Sequence, residues 1–141
     1  MALADRLRTE PIAGLYSSPY PRALQTIEPL AAALAVPVTV VPDLRERLLH
    51  PGPLPDWLEH CRRGWDDFDL ALPGCESSRT AQRRVGAALS LLAAHHPGET
   101  IAVASHGNLI ALALNAQDPG IGFDFWRSMP MPAVYPVDLS A

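Results

Sequence analysis

The chain has 141 residues, 48% of them hydrophobic and 18% charged, with a formal net charge of -4 at pH 7. That length fits one domain, residues 1–141, with a real core. The acidic balance argues against a broad nucleic-acid or anionic-membrane surface, which needs positive charge. No run reaches the roughly 18 uncharged apolar residues of a membrane span. The charged start, Met1 to Arg8, also lacks the apolar core of a signal peptide. Cys61 and Cys75 read as unpaired thiols of a reducing compartment, so a cytoplasmic location is expected.

In chain order, residues 3–8 form the later part of an amphipathic helix. Leu3, Ala4 and Leu7 share one face, and Asp5, Arg6 and Arg8 lie opposite. This helix begins without a cap or a preceding strand, and Thr9-Glu10-Pro11 breaks it. Ile12 to Tyr16 is a short apolar strand with Gly14 inside it. The loop Ser17 to Pro21 leads into a helix from Arg22 to Ala35, with Leu24, Ile27, Leu30, Ala31 and Leu34 on its buried face and a kink expected at Pro29. Val36 to Val41 is β-branched and reads as a second strand, closed by Pro42-Asp43.

From Leu44 to Pro73 the pattern is less regular. Pro51, Pro53 and Pro55 make an extended loop, and Asp56 is placed to cap a short helix containing Trp57, Leu58 and Trp65. Residues 44–75 read as an insertion over the strand ends, where lids sit. Glu76 to His95 is the clearest helix, with Ala81, Val85, Ala88, Leu89, Leu92 and Ala93 in one stripe, ended by Pro97-Gly98. The strand Thr100 to Ala104 then delivers His106 to a helix from Leu109 to Asn115. Ala133 to Leu139 reads as an edge strand, because Pro136 cannot donate to a ladder. Strands alternating with helices predict an α/β fold with a mostly parallel sheet, whose ligands bind at the carboxyl ends of the strands.

Two loops fall at such ends. Ser17-Ser-Pro-Tyr-Pro-Arg22 pairs the free amides of a helix start with a guanidinium that can grip two phosphate oxygens. The plainer alternative for Arg22 is a solvated helix residue. Ser105-His106-Gly107-Asn108 offers an imidazole, a glycine that lets a ligand approach the backbone, and an amide donor. A cationic His106 there would stabilise phosphoryl charge, while the alternative is a core histidine satisfied by a carbonyl. Glu46, in Leu44-Arg45-Glu46-Arg47, is either a general acid or one half of a weak surface ion pair. Trp57, Trp65 and Phe68 are either an apolar wall over substrate or core packing.

Taken together and in order, the Ser17–Thr26, Leu44–Arg47, Pro73-Gly-Cys-Glu-Ser77 and Ser105–Asn108 motifs resemble the histidine phosphatase superfamily, in its phosphoglycerate mutase-like branch. The resemblance runs from Leu3 to about Leu139. It implies a three-layer α/β/α fold and hydrolysis of phosphomonoesters through a phosphohistidine, with a small phosphorylated molecule as partner and neither metal nor other cofactor. By the same resemblance Arg22 is the pocket arginine, His106 the second, phosphate-binding histidine and Glu46 the proton donor. Ser17, Gly107 and Asn108 complete the phosphate and substrate contacts. Glu76 caps or positions the long helix, and Cys75 stands where a second glycine is usual.

The sequence also departs from that family. Its members open on a strand ending in Arg-His-Gly, whose histidine is the nucleophile, and no Arg-His pair exists here. His50, His60, His95 and His96 do not sit at a strand end followed by a helix. The resemblance therefore implies a domain truncated at its N-terminus, without the family's first strand and without its last. The edge exposed at Ile101 to Ala104 would favour homo-oligomers or completion by another segment. Two functions follow as expectations. One is a phosphatase whose reading frame starts upstream of Met1. The other is a non-catalytic remnant, inactive by itself, that binds phosphorylated ligands or a partner protein. Mutase activity is less favoured, because the lid shows no second phosphate site. Metal binding by His60, Cys61, His95 and His96 has no recognised ligand spacing.

Overall fold

The computed structural model describes residues 3–48 and 55–139; His50, Pro51 and Pro53 lie outside the described residues. The elements in order are α1 (Leu3–Leu7), β1 (Ile12–Ser17), α2 (Pro21–Leu34), β2 (Val38–Val40), a 3-10 turn at Pro42–Leu44, α3 (Trp57–Asp66), α4 (Ser78–His95), β3 (Thr100–Ala104), α5 (Gly107–Gln117) and α6 (Phe123–Arg127). The fold is α/β, with a small, open, all-parallel sheet flanked by helices, ordered β2-β1-β3. Leu15 of β1 stands opposite Val38 on one side and Ala102 on the other.

The central strand is covered on both faces, with Gly14, Leu15 and Ser17 all buried. Leu15 points into a cluster with Ile27 and Leu30 of α2, closed by Ala4 and Leu7 of α1 and by Val38, Ala102 and Ala104. Each fully buried leucine of that kind contributes about 1.5–3 kcal/mol relative to exposure. Gly14 and Tyr16 point to the opposite face, against His96. A Cβ on Gly14 would stand 3.0 Å from His96 Cε1 and 3.1 Å from Tyr16 Cε2, so a larger residue there has to push these rings aside, and the register of β1 with β3 slips between Ile12 and Gly14. A second cluster packs Ala81 and Val85 of α4 against Leu109 and Leu112 of α5, with Trp65 and Phe68 against it. Those two aromatics are core packing, not a substrate wall.

The structure corrects several boundaries. Helix α2 runs through Pro29 without a break in the element, and β2 keeps only three residues of the β-branched run. Residues 133–139 form no strand among the described residues. Tyr135 instead packs on Phe125 of α6 with ring centroids 5.5 Å apart, and Gln117 Nε2 donates to the Asp138 carbonyl at 3.0 Å. Pro136 removes a ladder donor from that segment and Pro132 another just before it, and helix contacts take their place. Asp56 stands at the start of α3 with φ 59° and makes no side-chain cap. The long helix is capped by Ser77, whose Oγ accepts the Thr80 amide at 3.1 Å, and not by Glu76. Among the described residues β3 pairs with β1 alone, leaving its other edge open. No helix is long and apolar enough to cross a membrane.

Candidate functional site

Strands β1 and β3 end side by side, with Ser17 opposite Ala104, so the two following loops meet at the carboxyl edge of the sheet. Ser18 N–H closes the junction by donating to Ala104 O at 2.9 Å. The next residues begin α2 and α5, and both helix N-termini open on the same place. Arg22, on the first turn of α2, donates from Nε to His106 Nδ1 at 3.3 Å, and His106 Nε2 lies 2.7 Å from Ser18 Oγ. The Tyr20 ring lies 5.0 Å from the imidazole, tilted 55° to it, with the Arg22 guanidinium 5.9 Å above the Tyr20 centroid.

These contacts fix the tautomer. A guanidinium only donates, so Nδ1 must accept and the single proton of a neutral ring sits on Nε2, donating to Ser18. Ser18 Oγ also accepts the Tyr20 amide at 3.2 Å. With two donors arriving at its oxygen, the Ser18 hydroxyl proton is left to donate elsewhere. Burial, reinforced by the Arg22 charge, lowers the His106 pKa from 6.5 to about 4. The cationic His106 expected from the sequence is therefore not the form present at neutral pH without an anion. A ring pressed against a permanent cation in a dry site loses its proton.

Glu46 reaches the same helix start from the other side. Its Oε1 accepts the amides of Leu109 at 2.9 Å and Arg47 at 2.8 Å, and its Oε2 accepts Asn108 N–H at 3.1 Å. Burial raises its pKa, opposed by those three amides and by the charge of Arg22. It is not the weak surface ion pair. Asn108 is buried, and its Oδ1 has no partner among the described residues. Ser17 is also buried, but its hydroxyl donates to the Ser18 carbonyl at 2.8 Å, so its neighbour Ser18 is the serine that touches the imidazole. Arg22 is exposed, and with Tyr20 and Pro21 it lines a depression of about 400 Å³.

The segment carrying Glu46 is held by residues whose sequence signal was slight. Arg84 of α4 grips Glu76 through Nε at 2.9 Å and NH2 at 2.8 Å, while its NH1 donates to Asp43 O at 2.6 Å and Arg45 O at 2.9 Å. Glu76 Oε1 accepts Leu48 N–H at 3.1 Å, and Glu76 N–H donates to Leu48 O at 2.9 Å. Ser105 Oγ donates to Leu44 O at 2.7 Å, tying the same segment to the end of β3. Beneath it, Arg47 is 6% exposed and donates from Nε to Glu76 O at 3.1 Å, with its fork against Gly64 of α3. A Cβ on Gly64 would stand 2.9 Å from Arg47 NH1. Only a basic residue at turn spacing along α4 marked Arg84 in the sequence, and many solvated arginines share that mark.

The remaining described histidines lie elsewhere. His60 is within α3, and His95 and His96 close α4. Among the described residues no three His, Cys, Asp or Glu side chains are grouped to hold a metal ion.

The sequence profile of the histidine phosphatase superfamily (branch 1) matches residues 1–137, and the chain belongs to that superfamily. Its fold is similar to that of a mycobacterial glucosyl-3-phosphoglycerate phosphatase, solved in complex with VO3, with TM-score 0.73 and 23% identity over 92% of this chain and 69% of the other. It is also similar to YhfR of Bacillus stearothermophilus, with TM-score 0.71 and 25% identity over 92% of this chain and 67% of the other. The α-ribazole phosphatase of Shigella flexneri aligns with TM-score 0.63 and 18% identity over 89% of this chain and 66% of the other. The chain thus spans about two thirds of the length of these structures. Among curated proteins no sequence matches it.

Proposed function

We propose that this domain binds small phosphomonoesters at the shared carboxyl edge of β1 and β3, and that the family reaction it is built for is their hydrolysis through a phosphohistidine. The observation that supports this reading most is the Arg22–His106–Ser18 cluster at two converging helix N-termini. A guanidinium, a hydroxyl proton and the N-terminal end of α2 gather beside the imidazole, while the amides of Asn108 and Leu109 at the α5 end are held by Glu46; the first three are the groups that hold a phosphoryl oxygen. Arg22, Ser18, His106, Gly107 and Asn108 form the phosphate side of the site, Ser18 taking the place expected of Ser17, whose hydroxyl is taken by the Ser18 carbonyl. Glu46 is the proton donor for the leaving oxygen, a role suited to a carboxyl whose pKa burial raises.

When a dianion arrives, Arg22 leaves His106 Nδ1 for the phosphate and both ring nitrogens become free to donate. Binding is then coupled to proton uptake by His106. In this reading the 141 residues hold the phosphoryl group without turning it over, since the described histidines other than His106 lie away from the strand ends. The family resemblance places the nucleophile on an Arg-His-Gly strand, and no Arg-His pair occurs in the sequence. The open edge of β3 is where a second copy of the chain would pair.

Calorimetry with inorganic phosphate and vanadate tests the binding claim, and p-nitrophenyl phosphate tests turnover. The expected outcome is oxyanion binding with proton uptake and no hydrolysis. Turnover abolished by His106→Ala would show that this chain is itself a phosphatase, and no oxyanion binding by a folded chain would refute the site.

A further inference from the structure

Beside the candidate phosphate site lies an aromatic corner that no role in phosphate binding explains. A methyl group placed on Gly107, the residue after His106, would stand 3.8 Å from Trp126 Nε1 and 3.9 Å from Met131 Cε. Trp126 meets Trp57 of α3 at right angles, with ring centroids 6.0 Å apart and planes at 88°, and Phe123 flanks it at 5.8 Å. The corner is open to solvent, with Trp57 53% and Met131 74% exposed. Trp65 and Phe68 are packed into the α4–α5 cluster, whereas Trp57 and Trp126 meet each other beside Gly107, the residue that follows His106. Among the described residues the Trp126 indole N–H donates to no protein group.

We infer that Trp57, Trp126 and Met131 form the leaving-group subsite of this domain, and that it takes a flat aromatic ring joined to the phosphate through its ester oxygen. The inference rests on the phosphate reading of Arg22 and His106. Two indoles at right angles offer a ring both a face to stack on and an edge to meet, and aromatic pairs prefer those two geometries. The Met131 thioether adds the sulfur–ring contact that favours aromatic over aliphatic carbon. A sugar would need a fan of amide, carboxylate or hydroxyl partners around its ring, and the corner offers one indole N–H. Because Gly107 is adjacent to both Trp126 and His106, a phosphate held by Arg22 and His106 would lay a directly attached ring along this corner. An aliphatic chain would gain only its area of contact.

The test compares inorganic phosphate, ethyl phosphate, cyclohexyl phosphate and phenyl phosphate on the 141-residue chain by calorimetry, with the indole N–H resonances followed by NMR. Phenyl phosphate is expected to bind about tenfold more tightly than ethyl phosphate and several-fold more tightly than cyclohexyl phosphate, a difference that one good aromatic contact supplies. It should shift the Trp126 indole signal where inorganic phosphate does not. Trp57→Ala, at an exposed position, should remove most of the phenyl advantage and leave inorganic phosphate affinity within twofold; Trp126→Phe should retain part of it. Equal affinity for phenyl and ethyl phosphate, or a phenyl advantage that survives Trp57→Ala and Trp126→Phe unchanged, overturns the subsite. So does a cyclohexyl ester that binds as well as the phenyl ester. Phosphate binding without an aryl preference removes this inference alone, whereas failure of all four ligands to bind the folded chain removes the phosphate reading with it.

Discussion

His106 and His96 stand at opposite ends of helices and are wired in opposite senses. His106 precedes α5, meets a guanidinium at Nδ1 and so carries its proton on Nε2, toward Ser18. His96 follows α4 and meets the Glu99 carboxylate at Nδ1, 3.2 Å away. A carboxylate only accepts, so the proton sits on Nδ1, and Nε2 accepts the Tyr16 hydroxyl at 2.6 Å. One ring sits among positive ends with a cation beside it, and the other lies near helix carbonyls and an anion. The same side chain thereby presents its proton to a serine in the first place and, in the second, takes a tyrosine's proton at the back of the sheet. Its neighbours' fixed polarity, not burial alone, decides which.

The contrast can be broken or sharpened by substitution. The largest effect is expected at the clamp behind the His106 end. Arg84→Ala leaves the Glu76 carboxylate and two carbonyls without their partner and should destabilise the chain by about 3 kcal/mol in urea titration. A loss no larger than that of an exposed arginine would show the clamp to be incidental. Next, Arg22→Ala should weaken inorganic phosphate binding about 30-fold by removing a charge-assisted fork. His96→Asn should leave it within twofold, and equal losses from the two would erase the distinction between the rings.

Gly14→Val forces a side chain into the His96 ring and should destabilise by about 1–3 kcal/mol, with much of the loss recovered when His96 is also replaced by Ala. The pH response gives a smaller and continuous measure. The unfolded chain protonates this imidazole near pH 6.5 and folded His106 only near pH 4, so the unfolded state binds more protons in between. Stability should therefore fall as pH is lowered through that window. His106→Gln should flatten that part of the curve, and an unchanged slope would place the titration elsewhere.

Much of the fold was legible because its signals are local. Strand β3 begins and ends as its β-branched and apolar run does, and α4 carries an unbroken apolar stripe between a serine cap and Pro97-Gly98. Arg22, Glu46 and His106 were legible as a set because each follows a strand, and strand ends converge in a parallel sheet. What was not legible depends on contacts made across the chain. Nothing local says that Ser18 and not Ser17 turns toward the imidazole, since successive strand residues face opposite sides and the loop decides which hydroxyl goes where. Glu76 looked like a helix cap because it stands at a helix start, yet Arg84, two turns along, draws it to the Glu46 segment. Ala133 to Leu139 has the composition of a strand, but α5 and α6 supply its neighbours. The neutral state of His106 is likewise a property of its burial, reinforced by Arg22's nearness, and neither is encoded by spacing.

Cys61 gives the Arg47 support a use as a reporter. Its thiol is 3% exposed, and burial pushes its pKa up to about 11, with the nearby Arg47 charge only partly opposing. While α3 is docked the sulfur is therefore both unreachable and protonated, so it does not react with alkylating reagents at neutral pH. The half-buried Cys75 lies in a loop and reacts first. After Cys75 is blocked, the slow labelling of Cys61 counts how often α3, carrying Gly64, lifts away from Arg47. The domain thus carries an internal clock for the motion of its own cover, read by mass spectrometry without any added probe.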